Sequence, residues 1–224
     1  MQGLKYSVDM VLCIDATGSM GSIIDRVKTN ALRFHEDLSS SMAEKSKNID
    51  LLRLKVVAFR DYYADKESAM FESAFFTLPQ DADNFADFIK TVTADGGGDE
   101  PENGLEAVAL AIKSEWSKSG DKRRQIIVVW TDASSHQLEK DNGAKPANYP
   151  GDMPKNLDEL TDDWEGQSHM SQTAKRLIIY APDAYPWTDI ANNWENVIHY
   201  SSKAGDGLAD VDYQEILSAI ASSV

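Results

Sequence analysis

The sequence predicts an α/β fold: a doubly wound, mostly parallel central sheet of about six strands, with helices on both faces and one antiparallel edge strand. Three observations carry that expectation. Short continuous apolar runs, rich in Val and Ile and lacking strict alternation, occupy residues 8–14, 51–59, 126–130, 177–181 and 197–200. Strands covered on both faces read this way. Between several of the runs the hydrophobic period lengthens to that of a helix. The resulting order (strand, helix, strand, strand, helix, helix, strand, helix, strand, strand, helix) is that of one wound sheet.

After the first run, Ile23, Ile24, Val27, Ala31, Phe34 and Leu38 fall on one helix face, and Ser22 with Asp25 has capping-box spacing. Residues 74–78 form a weaker strand, placed at an edge. Phe85, Phe88, Ile89 and Val92 mark a shorter helix opened by Asp81 and Asp83, acids that suit a positive helix end. Leu105, Val108, Ala109, Ile112 and Trp116 make a third stripe, with Pro101 in a first turn that tolerates proline. Tyr213, Ile216, Leu217 and Ile220 build the last helix, capped by Asp210. Residues 136–157, rich in Gly, Pro, Asn and Asp, read as a surface loop inserted after the 126–130 run. No repeat, low-complexity tract or linker divides the chain, so residues 1–224 are expected to form one domain.

Composition narrows the function. With 42% hydrophobic residues among 224, the chain can bury a real core, roughly 70% of its unfolded surface. A formal charge of −15 argues against nucleic acid and anionic membranes as partners. The single cysteine, Cys13, excludes an intramolecular disulfide and any zinc site of several thiolates. Lying in an apolar run, it reads as a small buried hydrophobe. Trp164, Trp187 and Trp194 read as core residues or interface anchors, most of them core. No apolar stretch reaches the 18 residues or more of a membrane span. The opening MQGLKYSVDMVLCID, broken by Asp9, does not read as a signal peptide. A cytoplasmic setting, in a prokaryote or a comparably reducing compartment, is the expectation.

Ligands of open α/β sheets bind at the carboxyl ends of the strands, near the point where strand order reverses. Three segments meet that criterion: Asp15-Ala16-Thr17-Gly18-Ser19 after the first run, Thr131-Asp132 after the 126–130 run, and Gly96-Gly97-Gly98-Asp99-Glu100-Pro101-Glu102 before the third helix. Alternation lets Asp15, Thr17 and Ser19 turn to one side. Converging carboxylates repel unless a cation sits among them. An all-oxygen set is the hard-ligand chemistry of Mg²⁺ first, with Mn²⁺ or Ca²⁺ served by the same donors. Any one of these loops alone would read as an ordinary helix cap; three on one edge do not. Glu100 and Glu102 read as first-turn helix acids or as surroundings of the metal. Arg60-Asp61 reads as a local ion pair or as part of a partner surface. His136 reads as a solvated loop histidine, and His35, His169 and His199 are too scattered for a zinc set.

Asp15-Ala16-Thr17-Gly18-Ser19 after a buried strand resembles the D-x-[ST]-x-S motif of von Willebrand factor type A domains, and Asp132 matches that family's distal aspartate. The resemblance implies a metal-ion-dependent adhesion site. Thr17 and Ser19 would be direct ligands, and Asp15 and Asp132 ligands directly or through water. The open metal position would take an acidic group of a partner protein. The middle loop departs from the usual G-G-T, with Asp99 in the threonine's place. Its segment GGGDEPE resembles a G-G-G-D-x-P-E variant of intracellular modules associated with alpha-kinases. A third carboxylate should hold the metal more tightly, or favour a neutral or phosphorylated partner group over a free carboxylate. The resemblance therefore implies a non-enzymatic interaction module, a scaffold in an intracellular bacterial assembly. Two alternatives stand beside it: a Mg²⁺-dependent phosphoester hydrolase like the haloacid dehalogenases, and a structural subunit with a vestigial site. The hydrolase would need an aspartate where Thr17 stands. No phosphate-cradling G-x-x-x-x-G-K-[ST] and no G-x-S-x-G nucleophile motif is present.

Overall fold

The computed structural model describes residues 4–30, 33–98, 100–118, 120, 122–140, 145–206, 208 and 212–224. Seven strands make one sheet: β1 (Leu4–Asp15), β2 (Lys47–Phe59), β3 (Met70–Glu72), β4 (Phe76–Leu78), β5 (Arg123–Trp130), β6 (Lys175–Pro182) and β7 (Val197–Ser202). Their order is β3-β2-β1-β5-β6-β7, with β4 also on β2. The five long strands run parallel. The antiparallel edge is filled by two short segments, β3 and β4, which pair successively with β2. Sequence reasoning expects only the second of these.

β1 explains why the first run lacks a single polar face. Val8, Met10, Leu12 and Ile14 enter one core and Val11 and Cys13 the other, all essentially fully buried. The first core is closed by helices α1 (Gly21–Asn30), α2 (Phe34–Glu44), α4 (Ala82–Thr91) and α8 (Tyr213–Ser223). The second is closed by α5 (Gly104–Ile112), α6 (Leu157–Glu165) and α7 (Trp187–Asn193). A one-turn helix, α3 (Tyr62–Asp65), follows β2. Trp164, Trp187 and Trp194 are core residues, as expected. Cys13 is buried at 0% exposure, its Sγ 3.5 Å from the Ala107 carbonyl, and burial pushes its thiol pKa up. Among the described residues, no helix is long and apolar enough to cross a membrane.

Several local expectations are corrected. The first helical stripe is described as two segments, α1 and α2. Residues 31–32 between them, Ala31 included, lie outside the described residues; in the last turn of α1, Thr29 Oγ1 and Asn30 Nδ2 donate to the Asp25 and Arg26 carbonyls. Ser22 is not a cap, because a short 3₁₀ turn, Gly18–Met20, already leads into α1. Pro101 precedes α5 by three residues rather than sitting in its first turn; Asn103 is the N-cap. α8 is capped by Asp212, whose Oδ1 accepts from Gln214 N at 2.7 Å; Asp210 lies outside the described residues. α7 went unforeseen between the last two runs, since a seven-residue helix opened by Pro186 has barely two turns in which to show periodicity. Residues 141–144 of the 136–157 segment lie outside the described residues; its described residues before α6 are tied down. Asn148 donates to the Glu67 carbonyl, Tyr149 packs on Tyr62, and Lys140 forms a buried ion pair with Glu106.

Candidate metal centre

From β1 the chain reaches β2 on one side and β5 on the other, so the order reverses at β1. Crevices at such points are where α/β sheets bind ligands. Asp15 ends β1 there, fully buried. Its Oδ1 accepts from Thr17 N at 2.9 Å and Thr17 Oγ1 at 2.6 Å, and its Oδ2 accepts from Thr131 Oγ1 at 2.6 Å. Thr17 occupies the N-cap position of the 3₁₀ turn without capping it, because its hydroxyl is spent on Asp15. Ser19 Oγ lies 3.5 Å from Thr17 Oγ1 and donates to Asp132 Oδ1 at 2.9 Å. Two carboxylates and two hydroxyls from loops 113 positions apart thus form one chain of contacts, with Ser19 exposed to solvent and the rest buried.

The structure therefore brings together Asp15, Thr17, Ser19 and Asp132. Asp99, the middle-loop candidate, lies outside the described residues. Burial raises the Asp15 pKa to about 6 against its three hydrogen bonds, with Asp132 adding to the rise. Among the described residues, no three Asp, Glu, His or Cys side chains converge closely enough to hold a metal by themselves. A cation here would need the hydroxyls of Thr17 and Ser19 as donors, which fits the hard oxygen chemistry of Mg²⁺.

Around this centre stand residues that sequence reasoning weighed otherwise. Arg60 makes no pair with Asp61; it donates to the Ala16 and Thr93 carbonyls at 3.1 and 2.9 Å, bracing the first loop. Asp61 caps α3 through Tyr63 N at 2.8 Å, and its Oδ1 lies 3.2 Å from His136 Nε2. His136 is not a solvated loop residue. It is half-buried against the Tyr63 ring, with centroids 4.7 Å apart, and burial lowers its pKa. Asp65 Oδ2 accepts from Gly97 N at 2.9 Å, and a Cβ on Gly96 (φ +68°) would fall on the Asp65 carboxylate. The glycines thus let the middle loop close over α3. Glu102 is no helix acid: it lies ahead of the α5 cap, 4% exposed, with Oε2 making no hydrogen bond. Burial and the surrounding Asp15, Asp61, Asp65 and Asp132 push its pKa up to about 9. Only the spacing of acids after each strand end hinted at this cluster. Asp65 gave no signal, because a one-turn helix has no period.

The von Willebrand factor A domain model matches residues 9–146, more than half the chain. The chain belongs to that family. A relative from Dictyostelium discoideum, the alpha-protein kinase vwkA, is 25% identical over 206 residues, covering 88% of this chain and 30% of its own. A putative ariadne-like RING finger protein, R811, of Acanthamoeba polyphaga mimivirus is 28% identical over 147 residues, covering 63% of this chain and 13% of its own. The chain thus spans less than a third of either relative. Crystal structures of the pilus adhesin SpaC from Lactobacillus rhamnosus GG share the fold. One superimposes with a TM-score of 0.56 over 96% of this chain and 30% of that one, at 10% identity. Its open conformation gives 0.55 at 11% identity. Von Willebrand factor A domains are commonly non-catalytic modules of protein–protein interaction.

Proposed function

We propose that this domain binds a divalent cation through Asp15, Thr17, Ser19 and Asp132, with Asp99 as a further donor of the middle loop, and docks another protein through it. Mg²⁺ is the first choice, with Mn²⁺ or Ca²⁺ held by the same donors. The observation that carries this reading is the Asp15–Thr17–Ser19–Asp132 contact chain at the reversal point of the sheet. The partner's contribution is an oxygen, from an acidic or phosphorylated group, entering on the exposed Ser19 side. A groove of Tyr63, Pro101, Ser135, His136 and Tyr185 adjoins the middle loop, and its two tyrosines are 44% and 43% exposed. Exposed aromatic side chains of this kind anchor protein interfaces. The role suits a scaffold within an intracellular, cytoplasmic bacterial assembly. With a charge of −15, neither nucleic acid nor an anionic membrane is the partner.

Hydrolysis is the weaker reading. Thr17 stands where the second, acid/base aspartate of such a hydrolase would be. The test is thermal unfolding with and without metal. At 100 times its dissociation constant a cation adds about 2.7 kcal/mol, which raises the Tm of a domain this size by roughly 5–10 °C. Asp15→Asn should abolish the shift, and partner capture from an extract should be lost in chelator. No shift with millimolar Mg²⁺, Mn²⁺ or Ca²⁺ favours the structural subunit. Turnover of a phosphate ester that is lost in Asp15→Asn favours the hydrolase.

A further inference from the structure

Glu102 is held rigidly by its backbone and left unsatisfied at its side chain. Its N–H donates to the Ser134 carbonyl at 3.0 Å, and its own carbonyl accepts from His136 N at 2.7 Å and Ser135 Oγ at 3.2 Å. It also forms an isolated parallel bridge with Ser135, so the middle loop is stitched to the loop that carries Asp132. The side chain is 96% shielded by these surroundings (4% exposed), yet Oε2 has no hydrogen-bond donor. A buried carboxylate without a donor or a counter-charge is costly.

The direction of the side chain matters as much as its burial. A Cβ placed on Gly97 (φ +76°) would stand 2.7 Å from Thr17 Cγ2 and 3.0 Å from Glu102 Oε1. The Thr17 side chain and the Glu102 carboxylate therefore approach one point from two sides, and only a glycine leaves room between them. Glu102 also lies in the field of Asp15 and Asp132 on one hand and of Asp61 and Asp65 on the other. A helix acid would need none of this, and α5 begins two residues later at Gly104. What such a position lacks is positive charge.

We propose that Glu102 is a carboxylate of the metal site's surroundings, supplied by the middle loop and facing the cation through one of its waters. The inference rests on the metal-site reading above. Oε2 makes no hydrogen bond that a cation would have to break. With Asp15 and Asp132 nearby, Glu102 adds a third negative charge to the surroundings of the ion and reaches it through coordinated water, since among the described residues no three carboxylates converge closely enough to hold a metal by themselves.

The test is Mn²⁺ titration by calorimetry on the whole chain, comparing wild type, Glu102→Gln, Glu102→Asp and Asp15→Asn, with unfolding of each followed in chelator. Glu102→Gln should weaken Mn²⁺ binding about 10- to 100-fold, while its metal-free Tm rises above wild type because a carboxyl that must take up a proton to be buried has gone. Glu102→Asp, which keeps the charge, should recover part of the affinity. These opposite movements in stability and affinity are not what a merely structural residue would give. Wild-type affinity in Glu102→Gln overturns the proposal while leaving the metal site standing. Wild type failing to bind Mn²⁺ at all overturns the metal site and Glu102 with it. Should Glu102→Gln not fold by circular dichroism, Glu102→Ala takes its place with the same expected loss.

Discussion

Lys140→Met is expected to destabilise the protein by about 3–5 kcal/mol, the cost of removing one partner of a buried ion pair. The Lys140 and Glu106 side chains are both 0% exposed, and the Lys140 ammonium bonds Glu106 Oε1 and the Gln137 carbonyl. Glu106 Oε1 also accepts from Asn103 Nδ2 at 3.1 Å and the Tyr149 hydroxyl at 3.2 Å. Asn103 Oδ1 in turn accepts from Tyr62 N at 2.6 Å. One carboxylate on α5 therefore joins the loop after β2, the cap of α5 and the inserted segment. Without Lys140 it is a buried charge with no counter-ion. The double variant Glu106→Leu/Lys140→Met should recover most of the loss, because an apolar replacement of both partners avoids the desolvation cost. Urea unfolding of the two single variants and the double gives the coupling energy. A Lys140→Met variant within 1 kcal/mol of wild type on the order-of-magnitude scale of exposed pairs would show that the pair does not hold this loop.

The second large effect is on pH. Folding raises the Glu102 pKa to about 9 and the Asp15 pKa to about 6, in both cases chiefly by burial. Between the ordinary carboxylate range and these values, the native state holds more protons than the unfolded chain. Stability must then fall as pH rises. In chelator, Tm should be highest near pH 5, drop fastest up to about pH 6 where both groups contribute, and keep dropping towards pH 9 through Glu102 alone. One proton corresponds to about 1.4 kcal/mol per pH unit, so the loss across the neutral range amounts to several degrees. Saturating Mg²⁺ should flatten or invert the slope, since a cation favours the ionised carboxylates. Glu102→Gln should remove the fall above pH 6. A metal-free Tm that is level or rises between pH 6 and 9 contradicts the assigned environment of Glu102.

The sheet was legible because its strands are long and covered on both faces, which leaves unbroken apolar runs in the sequence; β1 is the clearest case. The short elements β3, α3 and α7 are not legible, because they are held by pairing and packing rather than by a pattern of their own. The convergence of Asp15, Thr17, Ser19 and Asp132 is legible because each follows closely on a strand end, where chain direction dictates position. Glu102 reads as a helix acid from sequence because Pro101 suits a first helical turn, whereas α5 starts only at Gly104. An acid in a first turn and an acid pressed into a cavity look alike until the cap is located at Asn103. His136 reads as solvated from sequence, since loop composition says nothing about the Tyr63 ring it packs against. The Lys140–Glu106 pair spans 34 positions and joins a helix to an irregular loop, a separation for which no sequence period exists.

The central claim is that oxygen donors from separate loops grip one divalent ion at the top of β1. Anomalous difference density from crystals grown with Mn²⁺ tests it most directly. A single peak is expected among Asp15, Thr17, Ser19 and Asp132, bonded at roughly the 2.0–2.2 Å of hard oxygen ligands, with Glu102 turned towards it. Featureless density at saturating Mn²⁺, with the Thr17 and Ser19 hydroxyls still bonded to their carboxylates, would contradict the site.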